Sequence, residues 1–323
     1  MTAPITLAAF AVVVATLGPW LLRRSTWPNR SPRLGILAWH ALSLSIVVSV
    51  VLAGVALAVP QVPLSADLAA LLSACAAAVQ AQYATPGGAA LSVTGGVLAV
   101  TVVARVAYCL VAGLVTSRWQ RRRQLQALTS ALRGHQGSCD ALVVDHSTVA
   151  AYCLPGHRKA IVVTTAAVAA LDDDQLAAVL AHERAHLSGR HDLLLAVSDA
   201  LHGAFPRVRA FRDAHLATAG LVEMLADDVA ARRNDRLAIA TALVRLAEAS
   251  APAAALGAGG STSLARVRRL IAPARPLGSA GAALTVLVAA ALLAVPVAVV
   301  AAPAAMAAAT DLCPIGFPGQ PPS

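Results

Sequence analysis

Four apolar runs constrain this 323-residue chain more than anything else in it. A helix needs about 20 apolar residues to cross a hydrocarbon core, and residues 4–22, 34–59, 90–116 and 280–308 each supply them. Composition agrees: 58% of residues are hydrophobic and 13% charged, against roughly 45–50% apolar and about 25% charged in a soluble domain. A disordered chain and a disulfide-dense secreted scaffold are both excluded. The expected architecture is an α-helical integral membrane protein with four spans.

The basic residues orient those spans. The net charge of +9 is carried by Arg together with a single Lys, Lys159. Arg23 and Arg24 follow the first apolar run instead of preceding it, which is the wrong order for a cleavable signal peptide. Arginines fall in 23–33 and from Arg118 to Arg275, while 60–89 and 309–323 hold none. The positive-inside rule then predicts a multi-pass plasma-membrane protein with both termini extracytoplasmic. Its expected layout is three spans within 1–116, with a short cytosolic loop 23–33 and an outer loop 60–89. A cytosolic domain 117–279, a fourth span 280–308 and a short outer tail 309–323 follow. A further apolar run, 66–82, would leave an odd number of crossings, so it reads as an outer interfacial or packed helix. Arg105, inside the third span, reads either as a structural contact, snorkelling or paired within the bundle, or as a functional intramembrane charge, and His40 reads as an interfacial side chain. Cys75 and Cys313 both fall on the outer face, as a disulfide or as two free thiols.

After the third span, Arg118 to Arg123 reads as a topogenic headgroup anchor, followed by a short helix over about 124–133 that ends at Gly134. Residues 141–145, 149–154 and 160–164 are β-prone runs separated by turn formers such as Pro155-Gly156, and predict a small antiparallel sheet. The next helix opens at Asp172, with Gln175 three residues on as in a capping box and acids placed on its N-terminus.

That helix contains His182-Glu183-Arg184-Ala185-His186, an HExxH. Imidazoles at i and i+4 share a helical face, so both can reach one tetrahedral Zn²⁺. Glu183, one residue along, can address a water in the open coordination position and act as general base. With nine His and three Glu in the chain, about 0.002 accidental matches are expected. A third ligand is needed. Glu223 and Asp227 share a face of a second helical stretch, about 219–233. Glu223 is the expected third ligand, and Asp227 the partner that accepts a hydrogen bond from a ligand histidine. His191 and Asp192 are ranked below them as ligand or orienter.

Taken together, Tyr152 to Gly156, Ala160 to Thr165, Asp172 to Gln175, the run AVLAHERAHLSGRHD and EMLAD resemble the membrane-anchored gluzincins. The likeness is to the BlaR/MecR-type peptidase domain and, more distantly, to HtpX and the CAAX prenyl proteases; by motif it covers about 140–236. It implies a cytosolic α+β zincin-like domain, with His182, His186 and Glu223 on zinc and Glu183 as base. It also implies that Val149, Ala150, Ala151, Tyr152, Cys153 and Leu154 form the edge strand on which an extended protein substrate pairs its backbone.

The chain departs from the antibiotic-sensing members, which carry a penicillin-binding domain with an SxxK motif after the last span. Lys159 has Gly156 three residues before it, so no such motif exists in this sequence. The resemblance suggests regulated proteolysis in signal transduction, with a winged-helix repressor of the BlaI type as target. Membrane-protein quality control in the manner of HtpX, and a non-catalytic receptor or scaffold with structural zinc, are the alternatives. Residues 204–216 read as a helix or loop lying on the membrane or flanking the cleft, with no nucleic-acid binding expected. His202 and His215 read as surface histidines, 250–263 as a linker, and Arg266, Arg268, Arg269 and Arg275 as the flank of the last span. Pro296 and Pro303 predict a kink or break there.

Overall fold

The structure is a computed structural model that describes residues 2–59, 77, 80–81, 83–131, 141–155, 160–250, 260–273 and 276–311. Most of the outer run 66–82, the Cys75–Cys313 pair, Gly134, Lys159, most of the 250–263 linker and the tail from 312 lie outside the described residues.

Four described helices are long and apolar enough to cross a membrane: α1 (Thr2–Arg24), α3 (Pro32–Ala58), α4 (Gly88–Ala131), of which Gly88–Gln124 is apolar enough, and the last helix, α11 (Ser279–Asp311), through Ala302. A short α2 (Trp27–Arg30) links the first two. The chain divides into two compact units.

The first unit gathers 1–18, 41–105 and 287–323. Its helices meet through small residues, the packing that lets backbones approach where no water drives association. At the crossing of α3 and α4, a Cβ on Gly54 would meet the Gly95 carbonyl oxygen at 2.7 Å, and a Cβ on Gly95 would meet that of Gly54 at 2.5 Å. Ser45 Oγ donates to Leu292 O on α11 at 2.6 Å, and Ser92 Oγ to Ala58 O at 3.1 Å. Helix α11 continues through Pro296.

The second unit, 19–40 and 106–286, is α+β. The expected helix at 124–133 is not separate, because α4 runs unbroken to Ala131. No Gly or Pro occurs from Leu114 to Arg133, and the Arg- and Gln-rich sequence there favours continued helix. Three strands follow: β1 (Ala141–Val144), β2 (Ala151–Leu154) and β3 (Ala160–Thr164). Their order is β1-β3-β2, with β2 antiparallel and β1 parallel to β3. The sheet is therefore mixed, where a purely antiparallel one was expected. Strand β3 occupies the centre, with Ile161, Val162 and Val163 all buried, and the crossover past β2 brings β1 alongside it in the same direction.

Helices α5 (Thr165–Ala170), α6 (Asp173–Ser188), α7 (His191–Ala204), α8 (Arg209–Ala230), α9 (Arg236–Ser250) and α10 (Gly260–Ile271) complete the unit. Ala141, Ile161 and Val163 of the sheet bury against Leu180 and Leu187 of α6. Each of the Ile, Val and Leu side chains is worth roughly 1.5–3 kcal/mol when fully buried. On another side Ala178 of α6 meets Ala230, Ile239, Ala240 and Leu270 of α8, α9 and α10. The foot of α3, through Ile36 and Trp39, packs on Ala214, Leu221, Val222 and Leu225 of α8.

Candidate metal centre

Helix α6 begins as its sequence dictates. Asp172 Oδ1 accepts from Gln175 N at 2.8 Å, and Gln175 Oε1 accepts from Asp172 N at 3.3 Å. This reciprocal cap satisfies two orphan donors and fixes the register of every residue downstream. Two turns on, His182 and His186 project from one face with their Nε2 atoms 3.1 Å apart.

Helix α8 supplies the third group. It starts at Arg209, ten residues before the expected boundary, so 204–216 is in part its first two turns. Gly220 lies within it. The cost of a mid-helix glycine, roughly 0.5–1 kcal/mol, is offset by burial of Phe211, Leu221 and Val222 on the same helix. Glu223 Oε2 then lies 3.4 Å from His182 Nε2, and Glu223 Oε1 lies 3.5 Å from His186 Nε2. Among the described residues, His182, His186 and Glu223 form one group able to hold a metal ion. Tetrahedral bonds of about 2.0–2.2 Å to nitrogen and oxygen place neighbouring donors about 3.3–3.6 Å apart. The two imidazole nitrogens lie 3.1 Å apart and each has a Glu223 oxygen nearby, Oε2 at 3.4 Å for His182 and Oε1 at 3.5 Å for His186; one donor atom from each residue falls within 4.8 Å of the others, and this His₂Glu donor set fits zinc.

Each donor residue is backed by another side chain. His182 Nδ1 lies 3.0 Å from Asp227 Oδ1, one turn beyond Glu223 and 1% exposed. His186 Nδ1 lies 3.1 Å from Nδ1 of His191, itself 2% exposed. Helix α6 ends at Gly189, and Arg190 takes the left-handed conformation (φ 47°) that starts α7 and turns His191 back. Gly189 is required there, because a Cβ would collide with His191 Nε2. His191 thus stands behind His186, while Asp192 pairs with Arg121 of α4 at 3.1 Å.

Glu223 and Asp227 are further held by Arg266 of α10, which the sequence pattern presents as a flank of the last span. Its Nε and Nη2 donate to Asp227 Oδ2 and Oδ1 at 2.8 and 2.7 Å, and Nη1 lies 3.0 Å from Glu223 Oε2. Nothing local in the sequence marks it, since its partners lie about 40 residues upstream.

Electrostatics follow from these contacts. Burial opposes charge on His182, but the Asp227 and Glu223 carboxylates outweigh it and raise its pKa. Burial lowers that of His186, and the neighbouring His182 reinforces the shift. Burial likewise lowers His191. Against burial, Arg266 and His182 hold Asp227 down at about 2, and His182 and Arg266 keep Glu223 below its ordinary value. Glu183 goes the other way: burial raises its carboxyl. Its near neighbour is Cys153 of β2, whose thiol is pushed up to about 12 by burial and by the Glu183 charge. Cys153 also lines, with Gln120, Arg121, Tyr152, His186 and Asp192, a cleft of about 360 Å³. Of the expected edge residues 149–154, Ala151–Leu154 form β2 at one edge of the sheet, Val149 and Ala150 precede it, and Tyr152 is 37% exposed.

Residues 115–272 match the model of Peptidase family M48. No curated protein and no solved structure matches. The matched segment runs from the end of the α4 span through α10 and holds every residue of the centre just described. It supports a metallopeptidase function, with a protein as substrate and zinc as the metal typical of that family. The four apolar helices fit a membrane protein.

Proposed function

We propose that the chain is a membrane-embedded zinc endopeptidase that cleaves a cytosolic or membrane-proximal protein in regulated proteolysis. The observation that carries this reading is the convergence of His182, His186 and Glu223 beside Glu183. In this reading the protein is multi-pass in the plasma membrane, both termini are extracytoplasmic, and the centre faces the cytosol. The BlaR/MecR-like motifs support a winged-helix repressor as the target.

His182, His186 and Glu223 would hold the metal, which when bound polarises a scissile carbonyl and acidifies a water beside it. The chain's own residues do the rest. In this reading an extended peptide lies along β2, the edge strand of the sheet, and pairs with its backbone. The cleft beside His186 and Cys153 receives a side chain of that peptide. Glu183 takes the proton from the attacking water onto its carboxylate and passes it to the departing amine. Its burial raises its basicity, which suits a group that must accept and then release a proton near neutral pH. Asp227 and His191 hold the two imidazoles with Nε2 directed at the metal.

The test is a proteome-wide map of new protein N-termini in cells carrying the wild-type chain or Glu183→Gln at matched expression. The reading expects termini that appear with wild type and vanish with the variant, and the cleaved protein names the pathway. Identical maps would contradict it.

A further inference from the structure

We propose that Arg266 is a positioning residue for the metal centre, acting on two of its three ligands at once; the proposal rests on the zinc-peptidase reading above. Glu223 and Asp227 are carboxylates four residues apart on one face of α8, and both point into a space shared with His182. Two such groups repel, and a buried charge is costly unless paired. Arg266 is 8% exposed and answers both. Its planar fork closes on the two oxygens of Asp227 at 2.8 and 2.7 Å, and its remaining nitrogen reaches Glu223 Oε2 at 3.0 Å.

The geometry makes the fork directional. Asp227 Oδ1 accepts from Arg266 and also faces His182 Nδ1 at 3.0 Å, so the guanidinium sets the carboxylate plane that in turn sets the imidazole. Glu223 is fixed directly, with Oε2 turned to Arg266 and Oε1 left toward His186. Lysine supplies a point charge without the fork.

Arg266 arrives from α10, an element separate from the two that carry the ligands. That helix is seated independently of Arg266. Leu270 is buried against Ala178 and Ile239. Arg236 Nε and Nη2 donate to the carbonyls of Leu270 and Arg269 at 2.9 and 2.8 Å. Arg269 pairs with Asp228 at 2.7 Å. Loss of the Arg266 side chain is therefore expected to leave α10 docked and the ligands misaligned.

The experiment measures zinc affinity of the full-length, detergent-purified chain by competition with a chromophoric chelator, with a thermal melt on each sample. Arg266→Gln is expected to weaken zinc binding about 10–100-fold, as for partners of metal ligands generally. Arg266→Lys should fall between it and wild type, and serves alone if the Gln variant does not fold. Arg269→Gln, which breaks the neighbouring ion pair, should lower the melting temperature and leave zinc affinity unchanged. Wild-type affinity in Arg266→Gln and Arg266→Lys, or equal weakening in Arg269→Gln, would overturn the proposal. Failure of the wild-type chain to bind zinc would overturn the metallopeptidase reading, and this proposal with it.

Discussion

The Nδ1 atoms of His186 and His191 lie 3.1 Å apart, with the second histidine buried behind the first. One ring must donate and the other accept, so His191 fixes which nitrogen of His186 is free for a metal. His191→Phe should weaken zinc binding by about 10–100-fold without abolishing it at saturating zinc. Gly189→Ala should do the same, because its Cβ would displace the His191 ring. Chelator competition on the purified variants checks both. A complete loss of metal in His191→Phe would instead make His191 a ligand.

Zinc has to displace a proton from this site. Asp227 and Glu223 raise the pKa of His182 above its ordinary 6.5, so near neutral pH His182 carries a proton that the metal must replace. Zinc affinity is expected to rise with pH through the neutral range and to level off above the raised His182 pKa. Calorimetry in buffers of different ionisation enthalpy should count about one proton released per zinc bound at pH 7.

The acid limb of the activity profile should sit above the ordinary carboxylate range. Burial raises the Glu183 pKa from 4.5, and a general base works in its deprotonated form. Cleavage should therefore be lost as pH falls through that raised value. The same shift bears on stability: a folded-state pKa above the unfolded one means the buried charge opposes folding at pH above it. Glu183→Gln should accordingly melt at a higher temperature than wild type at pH 7, and an unchanged or lower melting point would contradict the desolvation argument.

Orientation has its own check. Cysteines placed singly near 145 and 250 should resist an impermeant thiol reagent in intact cells and react once the membrane is opened. Labelling in intact cells would invert the topology.

The grouping of the centre's residues is largely legible because it is written in local spacings. HExxH puts His182 and His186 on one face, Asp172 and Gln175 cap that helix, and Glu223 and Asp227 repeat the i, i+4 spacing. The apolar runs matched α1, α3, α4 and α11 for a similar reason, since each span is a local pattern of fixed length. What escaped was non-local. The parallel pairing of β1 with β3 depends on a crossover that four- and five-residue strands do not announce. Arg266 sits in a basic segment beside a span, where Arg is expected on topological grounds alone. Its role appears once α10 is folded against α8. The start of α8 at Arg209 is not marked because 204–216 reads equally as a helix or a loop until the burial of Phe211 and Leu221 on one helix is seen.

The central claim is that His182, His186 and Glu223 hold a zinc ion that Glu183 serves as base. The most direct test is zinc content and peptide cleavage measured side by side on purified wild type, Glu183→Gln and Glu223→Ala. One zinc per chain in the first two, cleavage in wild type alone, and loss of zinc in Glu223→Ala is the predicted result. Full zinc occupancy in Glu223→Ala, or cleavage by Glu183→Gln at the wild-type rate, would contradict it.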